Sequence, residues 1–504
     1  MQLQHDFDVQ MKRKQPFKVR PADSWKQPSE NIDQPPTHDL DNVEQTSEIF
    51  TLNEDCLLRV CKFLDLDSLV NLADVCKMFK RLLDERCFPL IRTFKFINQN
   101  KYDCNNNYDP LLFSTTLVKM RRALRCIGPY ITDLTVESNW DDLVYGLQDT
   151  MFAHDIVTRF LEVLRDNIGT NVRTARLSGF FISEDRRIAI VAPILRGLEV
   201  LVFGSYLMGY AAYTHKIDFQ TMCPDLIDFE LKGNVTMPQC DKPWKNLRRF
   251  AVIESILHDY RHELQLYFQW NLQLTCLEFV AANEKKRFTP LMMAVKHLRM
   301  VEKISISSSV EDEFDDPINS QDINSLHAFQ YLTEISLIDL HHEHLKSIVE
   351  CLATFDGLRK IHLERFNGGD IEGEQYYEQS LVVLAKQFPH LEHFRLHRVT
   401  ISQVNLIEFV RFASQWKSLT LDHCKINFSD ELIQKLANVL ECNRQKPSNA
   451  LLLELGQANR REDEFKHLTE IESESVRQYL QIKSKFYEHD CDSPLCPWCN
   501  VPVF

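Results

Sequence analysis

One short apolar pattern recurs along most of the chain and limits the folds that the chain can adopt. In each copy an apolar residue is followed three positions later by a second and two positions after that by a third, as in ITDLTV (131–136) and LRKIHL (358–363). Stretches with helical periodicity, such as residues 343–355 and 405–416, separate many copies. A strand followed by a helix at a recurring interval is typical of stacked repeats that share one core. The central positions of the copies are 94, 134, 175, 201, 229, 250, 277, 304, 335, 361, 394, 419 and 453.

The alternation within each copy predicts which residues face outward. If the first, fourth and sixth residues point into the core, the third, fifth and seventh lie on the opposite, concave face of the strands. Many of these outward positions hold charged residues. Where two protein surfaces meet, the complementarity of their charges determines which partner binds. The alternative is that most of them are only solvated strand positions. The candidates for binding a target protein are Lys360, His362, His393, Arg395 and His397, and further outward residues are Asp133, Glu137, Asp228, Glu230, Glu278, Glu334, Glu364 and Asp422.

A second feature, at residues 51–83, precedes the repeats. The spacing of its apolar residues predicts two short amphipathic helices, the first with Asn53 as N-cap and the second capped by Asp67 or Ser68. We expect one continuous apolar stripe on the second helix, from Leu69 to Leu83. Two helices this short cannot bury both apolar faces against each other, so part of that surface requires a partner. The alternative is an ordinary helical hairpin inside a larger helical domain.

The helical segment resembles an F-box. The F-box pattern is a Leu-Pro opening, an apolar run, a Leu-Asp turn and a closing Val-Cys-x-x-Trp-x-x-Leu. Here Asn53 stands where proline is usual and Phe79 where tryptophan is usual, and both substitutes keep the physical role. The resemblance implies that the segment binds a Skp adaptor. The residues implied in that contact are Leu52, Leu57, Leu58, Val60, Leu64, Leu69, Val75, Cys76, Phe79 and Leu82.

The recurring pattern from about Leu90 to Leu480 resembles a leucine-rich-repeat domain. The Asn or Cys expected three residues after the last apolar residue of each strand occurs only at Asn139, Asn234 and Cys424, so we expect irregular repeats. The predicted fold class is therefore α/β, with a helical F-box followed by an irregular leucine-rich-repeat solenoid, in which a parallel strand ladder carries helices on its convex side. The predicted domains are a disordered N-terminal arm (1–46), the F-box (47–89), the repeat domain (90–485) and a Cys-rich tail (486–504).

Together the two resemblances imply a substrate receptor of a Skp–cullin–F-box ubiquitin ligase. Such a receptor binds the Skp adaptor and, through it, cullin and RING subunits, while its repeats hold a target protein for ubiquitination and proteasomal degradation. The implied role is that of a non-catalytic subunit. The alternative is a leucine-rich-repeat scaffold that assembles proteins without ubiquitination. The sequence does not identify the target protein.

The composition argues against several other functional classes of protein. The formal net charge of −14 argues against a general nucleic-acid binder. The chain has no run of 18 apolar residues, so we expect no membrane span, and its first residues lack the apolar core of a signal peptide. The 15 cysteines are therefore expected to be reduced. We expect a cytoplasmic or nuclear protein, or one that occupies both compartments.

No catalytic constellation is apparent in the sequence. Phosphate-binding glycine loops, G-x-S-x-G elbows and H-E-x-x-H helices are all missing, and we expect neither an enzyme activity of the chain itself nor a cofactor. The one weak metal candidate is the tail, where His489, Cys491, Cys496 and Cys499 form H-x-C-x4-C-x2-C. Structural zinc sites usually bring two ligand pairs across a longer loop, so a tail that docks on the last repeat is the preferred interpretation. A metal-dependent protein that uses this tail is a third hypothesis.

Overall fold

The computed structural model of the chain falls into two compact units, Met1–Leu226 (unit 1) and Ile227–Phe504 (unit 2), which are described separately. The predicted arm (1–46) and the four candidate ligands of the tail lie outside the described residues. The structure describes residues 52–98, 110–138, 150–178, 185–205, 218–233, 242–253, 261–280, 295, 298–307, 320–367, 381–388, 390–397, 399, 401–413, 415–422, 424, 426, 428–443, 450–457 and 474–486.

Unit 1 begins with three helices, α1 (Glu54–Cys61), α2 (Leu66–Ala73) and α3 (Lys77–Arg86). The predicted cap of α1 is confirmed, because Asn53 Oδ1 accepts a hydrogen bond from the backbone N–H of Cys56 at 2.8 Å. The predicted cap of the second helix is wrong. Asp65 takes that place, and its carboxylate accepts from the backbone N–H of Ser68 at 2.8 Å, so α2 begins earlier than predicted.

The prediction of one helix from Leu69 to Leu83 is also wrong. The chain leaves the helical conformation after α2, and Cys76 is extended, with φ −160° and ψ 163°, before α3 begins. The periodicity of the apolar residues continues across this break, so the pattern alone does not reveal it. The reorientation lets Phe79 and Leu82 of α3 pack on Leu57 of α1 in one buried cluster, and this tertiary packing outweighs the local preference for a continuous helix.

The rest of unit 1 consists of strands that alternate with helices. Four strands pair in parallel and in chain order, so that Phe94 is aligned with Leu134, Leu134 with Ala175 and Ala175 with Leu201. The helices between them make the crossovers that parallel strands require. The elements are β1 (Thr93–Asn98), α4 (Pro110–Ile127), β2 (Asp133–Ser138), α5 (Thr150–Asn167), β3 (Thr174–Ser178), α6 (Asp185–Leu195), β4 (Val200–Ser205) and α7 (Phe219–Met222), with 3-10 turns at Phe88–Leu90 and Gly128–Tyr130.

Unit 2 continues the same architecture with ten strands, again parallel and in chain order over the residues that the structure describes. Residues 381–387 are helical as well, and Leu326–Ala328 form a 3-10 turn. The elements are β5 (Asp228–Gly233), β6 (Arg249–Ile253), α8 (Arg261–Trp270), β7 (Cys276–Val280), β8 (Lys303–Ser307), α9 (Ser320–Ser325), β9 (Glu334–His341), α10 (His342–Leu352), β10 (Lys360–Asn367), β11 (His393–His397), α11 (Gln403–Arg411), β12 (Ser418–Asp422), α12 (Asp430–Asn443), β13 (Leu451–Gln457), α13 (Glu474–Tyr479) and β14 (Leu480–Phe486).

The predicted inward residues form the cores of the two units. The first, fourth and sixth residues of every predicted copy are buried, with the exception of the half-buried Ala450. Each large apolar side chain removed from water contributes about 1.5–3 kcal/mol before the entropy of ordering the chain offsets most of the total. The predicted α/β class, with strands in a parallel ladder and helices between them, is therefore confirmed. One strand, β14, escaped prediction because Ser484 stands where the sequence pattern requires its third apolar residue.

The described cysteines are free thiols. Some are buried, and burial raises the pKa of Cys223 to about 12, so that thiol stays protonated at neutral pH. Others, such as Cys56 and Cys442, are exposed. Among the described residues no helix has both the length and the apolar character needed to cross a bilayer.

Candidate protein-interaction sites

The ten residues implied in adaptor binding have different positions in the structure. Four are buried and hold α1, α2 and α3 together: Leu57, Leu69, Phe79 and Leu82. Leu58, Leu64 and Cys76 are half-buried. The remaining three are exposed although they are apolar: Leu52 by 44%, Val60 by 49% and Val75 by 55%. Only the exposed and half-buried members are available for contact with another protein while the helices stay folded.

Phe63 is the most exposed large apolar residue of this region, and the sequence pattern did not single it out. It follows the end of α1, its backbone N–H donates to the carbonyl of Val60 at 3.0 Å, and it is 89% exposed. The available signal was an aromatic residue in a turn, outside the helical period. We call Leu52, Val60, Phe63 and Val75 the exposed apolar residues of the helical segment. Exposed apolar groups of this size are typical of sites that another protein covers.

Polar contacts join these helices to the first repeat of unit 1. Arg122 of α4 forms an ion pair with Asp74 and donates a hydrogen bond to Asn71 Oδ1 at 2.9 Å. The hydroxyl of Tyr130 donates to the backbone carbonyl of Asp84 at 3.4 Å. These contacts give the exposed apolar residues a defined orientation relative to β1 and β2.

Unit 2 has a concave cavity of about 450 Å³ on the outward face of its strands. Four of the five candidate target-binding residues line it, and the fifth, His397, lies beside it, with Nδ1 2.9 Å from Glu364 Oε1. The walls are mostly third, fifth and seventh strand positions, which confirms the predicted direction of these side chains. The polar and charged lining residues are Glu278, Lys303, Ser305, Glu334, Ser336, Lys360, His362, His393, Arg395, Ser418, Thr420, Asp422 and Glu454.

The cations of this cavity are paired with carboxylates. Glu334 contacts Lys303 at 2.5 Å and Lys360 at 3.4 Å. Arg395 donates from Nε to Asp422 Oδ2 at 2.8 Å, and the Asp422 side chain is only 2% exposed. The acidic partners of these cations come from neighbouring strands. A ligand of this cavity would have to match both signs of charge.

An arginine that the sequence did not highlight pairs with the outward acidic residues of the first strands of unit 2. Arg249 of β6 contacts Asp228 at 2.7 Å, Glu230 at 3.0 Å and Glu278 at 2.6 Å. Burial opposes the charged form, but hydrogen bonds and attraction to Glu278 and Asp228 raise the pKa of Arg249 above its usual value. We call these four residues the Arg249 cluster. The register of β5, β6 and β7 places its members side by side.

The concave histidines are hydrogen-bonded rather than free. His362 Nδ1 lies 3.0 Å from Ser336 Oγ, and His393 Nδ1 lies 2.8 Å from Ser418 Oγ. Burial and, next, the positive charge of Arg395 lower the pKa of His362 to about 4. Burial, and after it the positive charge of Lys360, also lowers the pKa of His393. Both imidazoles are therefore neutral at pH 7, where they act as hydrogen-bonding groups or metal ligands.

One comparison with known proteins agrees with the resemblance that the helical segment carries. A family model described as F-box domain matches residues 49–90. A search of curated proteins finds no match to the chain. Similar solved structures include an internalin (inlF) from Listeria monocytogenes, with 12% identity over 64% of this chain and 82% of that chain and a TM-score of 0.29. Another is the APL1 leucine-rich repeat domain, with 10% identity over 78% of this chain and 83% of that chain and a TM-score of 0.24.

Proposed function

We propose that this chain, which carries an F-box domain ahead of a leucine-rich-repeat solenoid, is the substrate-recognition subunit of a Skp–cullin–F-box ubiquitin ligase. Its F-box would bind the Skp adaptor and, through it, the cullin and RING subunits. Its repeats would hold a target protein, and ubiquitination would direct that protein to the proteasome. This role belongs to the cytoplasm or the nucleus.

The observation that carries the proposal is a folded F-box with exposed apolar residues. Phe63, Val60 and Val75 are exposed while Leu57 and Phe79 are buried beneath them in the F-box core. A partner that covers the exposed residues would gain about 25 cal/mol for each Å² of apolar surface removed from water. A large aromatic residue such as Phe63 is suited to be the central anchor of such an interface.

The contribution of the chain to the reaction would be proximity. A target held by the repeats and a ubiquitin-conjugating enzyme held through the adaptor would meet at a raised effective concentration. The reactive cysteine would lie on another subunit, so none of the free thiols of this chain need act as a nucleophile. The candidate residues for contact with the target are Lys360, His362, His393, Arg395 and His397, four of which line the concave cavity.

Direct binding of the purified full chain to a purified Skp adaptor tests the proposal. We expect stoichiometric binding by the parent chain and a loss of affinity of about 30-fold or more in Phe63→Asp, since interface anchors are worth about 2 kcal/mol or more. Leu57→Asp is unsuitable, because Leu57 is 4% exposed and its replacement would disrupt the F-box core.

Val404→Asp is the matched control. Val404 is an exposed apolar residue of α11 in unit 2, 71% exposed, so the same chemical change is made far along the chain from the F-box. It should bind the adaptor as the parent does. Circular dichroism and the unfolding midpoint should be unchanged in both variants. Absence of binding by a well-folded parent, or equal binding by Phe63→Asp, would refute the adaptor role.

The runner-up is a repeat scaffold that is not linked to ubiquitination. The contacts of Arg122 with Asp74 and Asn71 favour it, because they occupy part of the F-box surface within unit 1. A reconstituted ligase separates the two proposals. Once a target has been identified by cross-linking to the concave face, ubiquitin transfer to that target should require the chain and fail with Phe63→Asp. A scaffold would bind the target without supporting transfer.

A further inference from the structure

Two histidines and a glutamate meet on the concave face of unit 2. His362 and Glu364 are two residues apart on β10, so their side chains lie on the same face of the strand. The parallel register aligns Glu364 with His397 of β11. Three side chains that are potential metal ligands are thus brought together by two neighbouring strands, although 33 residues separate Glu364 from His397 in the sequence.

The distances suit a small divalent ion. His397 Nδ1 lies 2.9 Å from Glu364 Oε1, and His362 Nε2 lies 3.9 Å from Glu364 Oε2. One potential ligand atom from each residue lies within 4.8 Å of those of the other two. Zinc–ligand bonds of about 2.0–2.1 Å in a tetrahedron place the ligand atoms about 3.3–3.5 Å apart. Small side-chain rotations would bring the three groups to these separations.

The surroundings of His362 prepare it as a ligand. Its Nδ1 is held by Ser336 Oγ at 3.0 Å, which orients the ring and leaves Nε2 to face the cluster. Nε2 is buried and has no hydrogen-bond partner among the residues that the structure describes. A buried polar nitrogen without a partner is costly, and a metal ion would satisfy it. The three side chains are 16–22% exposed, so an ion could enter from the concave side.

The charges around the cluster tolerate a cation. Arg395 is the nearby positive group, and the carboxylate of Asp422, which is 2% exposed, is paired with it. Asp422 lies beside His397 in the register of β11 and β12, and its Oδ1 is buried without a hydrogen-bond partner among the described residues. Among the described residues, the two negative charges of Glu364 and Asp422 exceed the one positive charge of Arg395, and this balance favours a divalent ion.

We propose that His362, Glu364 and His397 form a binding site for a divalent transition-metal ion of the zinc class. Two imidazoles and one carboxylate are ligands that Zn²⁺ accepts, and three protein ligands leave a fourth position for water or for a donor from a bound partner. The site revises the expectation that the chain has no metal. It is independent of adaptor binding, and it differs from the tail candidates, whose donors are mainly thiolates.

The test uses Zn²⁺ and Co²⁺ with the full chain after treatment with a chelator. The Cys491→Ser, Cys496→Ser, Cys499→Ser chain serves as background, so that tail thiolates cannot account for the binding. In this background we expect one equivalent of Zn²⁺ by calorimetric titration. The Co²⁺ form should show d–d absorption without a thiolate-to-cobalt charge-transfer band. His362→Gln and His397→Gln should each raise the Kd at least about tenfold, since even the loss of an outer partner of a ligand costs about 10–100-fold.

His393→Gln is the matched control, because His393 lines the same cavity and bonds to a serine in the same way but lies outside the three-residue cluster. It should bind Zn²⁺ as the background chain does. Absence of binding by the well-folded background chain would overturn the proposal and leave a hydrogen-bonded His–Glu cluster. Unchanged binding in both ligand variants, or an equal loss in His393→Gln, would overturn it as well.

Discussion

Replacing Arg249 with methionine is expected to destabilise unit 2 by about 3 kcal/mol, because the change leaves three carboxylates facing one another without a cation. Arg249 contacts Asp228, Glu230 and Glu278 at 2.6–3.0 Å, and its side chain is 25% exposed. Methionine keeps much of the apolar stem, so the loss reports the guanidinium rather than a cavity.

The magnitude follows from the partial burial of the Arg249 cluster. Removing one partner from a fully buried ion pair costs about 3–5 kcal/mol, whereas an exposed pair is worth about 0–1 kcal/mol. The exposed fractions of the four side chains lie between 15% and 27%, which places the cluster near the lower end of the buried range. At about 2–4 °C per kcal/mol, the thermal midpoint of unit 2 should fall by roughly 6–12 °C.

Urea and thermal unfolding of the full chain measure this loss, and amide hydrogen exchange in β5, β6 and β7 locates it. Arg248→Met is the matched control, since Arg248 is the adjacent residue and its exposed guanidinium donates, among the described residues, to the carbonyl of Gln273 at 3.3 Å and not to a carboxylate. The control should change stability by less than about 0.5 kcal/mol. Equal shifts in the two variants, or no shift in Arg249→Met, would refute the role assigned to the cluster.

Three further outcomes are expected from unfolding measurements. Gly128→Ala should cost about 1–3 kcal/mol because a Cβ there would overlap a backbone carbonyl, whereas Gly169→Ala, with its nearest contact at 3.5 Å, should be tolerated. Asn271→Ala should lower the free energy of unfolding by about 1–3 kcal/mol, since the backbone N–H of Trp244 loses Asn271 Oδ1, its acceptor at 3.0 Å. The pKa of His393 is lower in the folded chain than in the unfolded chain, so below about pH 6.5 the unfolded chain binds more protons and the free energy of unfolding falls. His393→Gln removes this difference and should make the loss of stability with falling pH smaller.

Most of the fold could be predicted from the sequence because burial fixes the alternation of each strand. A shift of one residue would turn every inward Leu, Ile, Val or Phe toward solvent, so the thirteen central positions determine both the strands and their register. β14 was missed for the same reason, since Ser484 interrupts the pattern. The end of α2 before Cys76 was missed because packing, not periodicity, sets it.

The candidate sites were less predictable, because they depend on contacts between neighbouring strands and on exposure. The sequence placed Glu364, His362 and His397 on the concave face, but only the register shows that they meet. Arg249 was overlooked although it occupies an outward third position, because its importance comes from three acidic neighbours on the two adjacent strands. Phe63 lies in a turn, where no period marks it.

Because the register is constant, each outward strand position has a fixed place on the concave face. The fifth positions of successive strands, Ser336, His362, Arg395 and Thr420, form one column of side chains, and the seventh positions form the next. Neighbours in a column are about 4.8 Å apart, whatever the length of chain between their strands. Insertions on the helical side can therefore vary in length without moving any outward side chain of the strands. A new pairwise contact on the concave face needs only two substitutions in one column, so this surface can change its ligand while the core stays the same.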